Sequence, residues 1–109
     1  MAAKIGTPRV RIPPAKRGEV IEIRTLVSHP METGLRRDQA GALIPRDMIR
    51  RFEVRFDDEL VFSVDLATAI SANPYLAFPW LASRPGRFEF TWIADSGEQA
   101  SSTADLKLG

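Results

Sequence analysis

Apolar and polar residues alternate along this chain in short runs separated by turn signals, and no segment keeps a 3.6-residue period for three turns. Residues 8–12 predict a short first strand with Val10 and Ile12 on one face, ended by Pro13 and Pro14, which have no N–H to give a ladder. Residues 19–28 carry the clearest alternation. Ile21, Ile23, Thr25 and Val27 share the inward face, and Glu22 and Arg24 take the other. The pattern resumes at 47–56, with Phe52, Val54 and Phe56 inward and Glu53 and Arg55 outward. Asp57-Asp58 marks a tight turn into a partner strand that places Leu60, Phe62, Val64 and Leu66 inward. Residues 67–73 show no alternation, and Asn73-Pro74 opens a turn. The apolar run 75–82 carries Pro79 in its middle, which predicts an edge strand or an extended segment. Arg84-Pro85-Gly86 reads as a turn in which Gly86 supplies positive φ. Residues 87–94 follow, with Phe88, Phe90 and Trp92 on one face. After the turn Asp95-Ser96-Gly97, the last strand spans 98–108 with Ala104, Leu106 and Leu108 together. About seven strands at this spacing predict an all-β, immunoglobulin-like antiparallel sandwich without the cysteine pair.

With 109 residues, the chain has room for one core, so residues 1–109 are expected to form a single domain. There is no Cys and one His. Disulfide frameworks, thiolate metal sites, thiol nucleophiles and multi-histidine zinc sites are therefore excluded. No cofactor is expected. The formal net charge is +1, but residues 1–51 hold 11 Lys/Arg against 5 Asp/Glu, while residues 52–109 hold 4 against 9. Neither an RNP, a zinc-finger nor a helix-turn-helix pattern accompanies the basic half, so nucleic acid is not an expected partner. No run approaches the ~20 apolar residues of a membrane span, and the first 14 residues lack the apolar core of a secretory signal.

Candidate chemistry is sparse. His29 follows a strong strand without an evident catalytic partner, and Ser28 beside it would point to the opposite face of an extended chain. Asp57, Asp58 and Glu59 look superficially like a cation site but sit where a hairpin turn needs them. Neither a P-loop nor a GxGxxG pattern is present. Trp80 and Trp92 read as core or interface anchors. The least ordinary stretch is 29–46, a polar segment of about 18 residues punctuated by Pro30, Gly34, Gly41 and Pro45. Flexible Met31, a bend at Gly34 and the fork-bearing Arg36 and Arg37 suit it to protein recognition. A free-standing ligand- or carbohydrate-binding sandwich and, more weakly, a small hydrolase remain open on these grounds.

The run Arg24-Thr25-Leu26-Val27-Ser28-His29-Pro30-Met31-Glu32-Thr33-Gly34-Leu35-Arg36-Arg37-Asp38, then Ile44-Pro45, Phe52 and the later Trp92-Ile93-Ala94-Asp95-Ser96-Gly97, resembles the SoxZ family of the bacterial sulfur-oxidation (Sox) system. The resemblance covers nearly the whole chain. It implies a non-catalytic β-sandwich subunit that pairs with SoxY, whose C-terminal Cys carries the sulfur intermediates of thiosulfate oxidation, and that meets the other Sox enzymes transiently. It also implies a periplasmic location reached in complex with SoxY. His29, Pro30, Met31, Glu32, Thr33, Gly34, Leu35, Arg36 and Arg37 are signature positions, and we expect them to contact the partner. Leu26 and Val61, as apolar positions on the outward sheet face, join them as interface candidates.

Overall fold

The computed structural model describes residues 5–28, 35, 37–43, 48–66 and 75–109. Seven strands appear among them: β1 (Arg9–Arg11), β2 (Val20–Leu26), β3 (Ile49–Phe56), β4 (Glu59–Asp65), β5 (Tyr75–Leu81), β6 (Gly86–Ala94) and β7 (Gln99–Leu106). They form two antiparallel sheets, ordered β1-β2-β5 and β4-β3-β6-β7. This is an immunoglobulin-like sandwich with the fourth strand paired beside the third. A parallel bridge between Ala15 and Leu108, with Gly109 N donating to Ala15 O at 2.9 Å, ties the first sheet to the end of the second.

The core is the set of inward positions that period-2 alternation predicts. Ile23, Phe52, Val54, Phe88, Phe90 and Trp92 are fully buried, and Thr25 joins them because its Oγ1 donates to Leu76 O at 2.9 Å. Aromatic rings run through the middle: Phe52 packs on Trp92 with centroids 5.1 Å apart, and Phe56 packs on Phe88 at 4.7 Å. Trp92 is wholly internal. Trp80 is half-buried against Phe56 and Phe88. Neither indole is therefore a surface platform.

Of two turns read from the sequence, the first forms as expected and the second departs. Asp57 and Asp58 make the two-residue hairpin turn with φ of 50° and 71°, a left-handed pair that Asp tolerates through its short polar side chain. Asp57 does more than turn the chain. Its carboxylate accepts from Arg87 N at 2.9 Å and from Arg84 Nη1, which pins the β3-β4 turn to the entry of β6. The hydrogen bond from Arg87 N, then that from Arg84, holds the Asp57 carboxyl below its ordinary value. Gly86, in contrast, does not adopt positive φ. It is required there for space: a Cβ would lie 2.8 Å from Asp57 Oδ2 and closer still to the Phe56 ring.

β4 also differs. Val54 pairs with Phe62 but Arg55 pairs with Leu60, so Val61 is an extra residue in a bulge. One extra residue reverses the phase. Leu60, expected inward, is 46% exposed, and Val61, expected outward, is half-buried against the core. Phe62 keeps its inward side and stacks on Phe78 at 5.2 Å. That contact brings the edges β4 and β5 together on one flank of the sandwich.

Candidate partner interface

The two outer faces have different chemistry. On the four-stranded sheet, Glu53 accepts from Arg51 Nε at 2.7 Å and from Arg55 Nη1 at 3.1 Å. Arg51 also reaches Asp65 at 3.1 Å, and Arg87 reaches Asp105 at 3.2 Å. The hydrogen bond from Arg51, then that from Arg55, holds the Glu53 carboxyl below its ordinary value against the opposing effect of burial. Thr91 and Ser101 lie opposite each other in the same sheet. This face pairs most of its own charges.

The outer face of the three-stranded sheet does not. Its rows follow from the register: Arg9, Leu26 and Tyr75; Arg11, Arg24 and Ala77; Glu22 and Pro79; Val20 and Leu81. Along β5 every outward residue is apolar, while the inward residues Leu76, Phe78 and Trp80 face the core. A strand apolar on both faces is suited to being covered on both. Here one cover is missing: Tyr75 is 57% exposed, Leu81 53% and Val20 69%. The middle of the face is basic. Arg24 bonds Glu22 at 2.8 Å, and that bond first, then the nearby Tyr75 hydroxyl, raises the Arg24 pKa above its ordinary value. A groove of about 240 Å³ lies between Arg9, Arg11, Arg24, Leu26 and Tyr75.

Of the sequence-predicted contacts, His29, Pro30, Met31, Glu32, Thr33, Gly34 and Arg36 lie outside the described residues. Leu26 is where alternation puts it, outward and opposite Tyr75. Val61 is not, for the reason given above. Leu35 is 84% exposed. Arg37 begins a small structured turn: it bridges Leu43, and its Nη1 donates to Gly41 O at 2.7 Å. Asp38 Oδ1 accepts from Ala40 N and Ala42 N at 2.9 and 3.0 Å, and Gly41 takes φ +84°. Sequence reasoning missed Tyr75, Leu81, Arg9 and Arg11 as surface candidates. The unbroken apolar run YLAFPWL was the available signal, since a strand with one wet face would alternate.

Among the described residues, no group of three or more His, Asp or Glu is placed to hold a metal ion. A family model described as "Sulphur oxidation protein SoxZ" matches residues 10–105. The chain belongs to the SoxZ family. As a SoxZ-family protein, it is a non-enzymatic subunit of a SoxYZ-type sulfur carrier, and its partner is SoxY. SoxZ proteins are generally periplasmic. No curated protein matches the chain. Among solved structures, superoxide reductase (neelaredoxin) from Ignicoccus hospitalis is similar at 15% identity and TM-score 0.68, covering 96% of this chain and 82% of that one. A point variant of the same protein gives 16% identity and TM-score 0.69, covering 98% and 83%. At such identity the likeness is one of fold alone.

Proposed function

We propose that this SoxZ subunit scaffolds SoxY through the outer face of its three-stranded sheet, with the signature segment from His29 to Arg37 extending the contact beyond Leu26. The observation that carries this reading is β5, apolar on its outer as well as its inner side. Tyr75 is the kind of side chain that anchors an interface, Leu81 and Val20 add the apolar area typical of permanent ones, and the ion-paired face on the opposite sheet stays solvated. Held in this way, SoxY keeps its cysteine-bearing C-terminus free to reach the enzymes that load and release sulfur. Those enzymes meet the assembly only transiently. We further propose that the subunit reaches the periplasm by export together with SoxY, in keeping with the family's general location.

Co-purification with SoxY tests the interface. Replacing Tyr75 and Leu81 by Ser is expected to abolish recovery of the pair while leaving the isolated subunit folded. Charge reversal at Arg36 and Arg37 is expected to weaken it. Unchanged complex with all four replaced would remove both segments from the interface. Cell fractionation with and without the SoxY leader tests co-export: the subunit should remain cytoplasmic when the leader is deleted.

A further inference from the structure

The basic strip on the same face has its own chemistry. Arg11 stands directly opposite Arg24, and Arg9 is diagonal to Arg24 across the β1-β2 ladder. Like charges at such positions repel and destabilise a sheet. Glu22 is the single carboxylate within these three strands, and it is engaged by Arg24 through its Nε. Arg9 and Arg11 form no ion pair with another described residue. Among the described residues the face therefore carries an uncompensated excess of guanidinium, held between the apolar corners Leu26–Tyr75 and Val20–Leu81.

β1, β2 and β5 contain no Lys. Arginine and tyrosine without lysine is the composition of a protein contact and not of a merely solvated surface, because a guanidinium is weakly hydrated and pairs carboxylates in a planar fork. Resting on the reading that SoxY covers this face, we infer that the covering surface of SoxY presents carboxylates in register with Arg9, Arg11 and Arg24, flanked by apolar residues that meet Tyr75 and Leu81. The arginines then fix register and speed encounter, and the apolar corners hold the pair together. Carboxylates placed there offset the like charges of Arg11 and Arg24 in the complex.

The test is a titration of purified SoxY against the subunit at two ionic strengths. Raising salt from about 0.05 to about 0.5 M is expected to weaken the wild-type pair roughly tenfold, since the Debye length shortens several-fold over that range. Reversing all three arginines (Arg9→Glu, Arg11→Glu, Arg24→Glu) is expected to weaken it on the order of 100-fold at low salt and to invert the salt dependence. Should that variant melt early, the triple Gln replacement is expected to lose about tenfold and become salt-independent. Affinity within threefold of wild type, with an unchanged salt response, would overturn the inference. Replacing Tyr75 and Leu81 by Ser separates the two failures. If these weaken binding while the arginine variants do not, SoxY covers the face without the carboxylates; if neither set matters, SoxY binds elsewhere.

Discussion

Gly86→Ala adds one methyl group at the start of β6, and its cost can be worked from what surrounds it. The new Cβ would sit 2.8 Å from Asp57 Oδ2 and nearer still to the Phe56 ring. Neither neighbour is free to yield. Phe56 is 2% exposed, packed against Trp80 at 5.1 Å and Phe88 at 4.7 Å, with the Arg84 guanidinium 4.6 Å above its ring. Asp57 is held by Arg84 and by Arg87 N. Overpacking of this kind costs about 1–3 kcal/mol. Because the backbone does not need positive φ, Ala also gains about 0.4–1 kcal/mol by restricting the unfolded chain. The net loss expected is about 1–2 kcal/mol, read as a fall in Tm of roughly 4–8 °C per kcal/mol in a domain of this size. Calorimetry and guanidinium unfolding measure it. A double-mutant cycle identifies the cause: in a Phe56→Leu background, itself destabilised, Gly86→Ala should cost about 1 kcal/mol less than in the wild type, the remainder coming from the Asp57 contact. A neutral Gly86→Ala, or the same loss with and without the ring, would refute the steric account.

Four other outcomes follow from local chemistry. The depressed carboxyl of Glu53 means that the unfolded chain binds the proton more readily; its contribution is therefore present above its ordinary value of 4.5 and lost as pH falls through the lower folded value. Glu53→Gln should flatten the acid limb of Tm against pH below about 4.5 while costing roughly 1 kcal/mol near neutrality. Trp92 Nε1 is buried without a hydrogen-bond partner among the described residues, so Trp92→Phe should change stability by less than about 1 kcal/mol, as relief of the unpaired donor offsets lost packing. Phe90→Ala in the same layer should cost about 3–5 kcal/mol by denaturant unfolding. Asp38→Ala removes the acceptor of two amides in the 37–43 turn and should speed proteolytic cleavage there several-fold with little change in Tm.

Strands whose alternation is uninterrupted were legible in the sequence: β2, β3 and β6 bury the residues their pattern puts inward, and Pro79 marks β5 as an edge. What failed depended on contacts distant in sequence. The bulge at Val61 reverses the phase of Leu60 without altering the composition of the strand, so a period-2 count cannot detect it. Gly86 lies in a turn-like tripeptide, but its constraint comes from a ring 30 positions earlier. The outward side of Leu26 was readable from one strand; Arg9, Arg11 and Tyr75 join it only when β1 and β5 are laid on either side of β2. Family membership was legible from a continuous run of residues, because a signature needs no knowledge of pairing.

The bulge in β4 and the proline in β5 occupy neighbouring edges on one flank, and together they determine how this surface fails as well as how it works. An open, regular apolar edge is a template for another chain's strand, and a subunit that waits for its partner exposes such edges longest. Val61 breaks the spacing of one edge, and Pro79 removes a donor from the other. Neither edge then offers an uninterrupted ladder for a second copy to extend. The subunit can carry a sticky face while awaiting SoxY and still resist polymerising through the two edges on this flank.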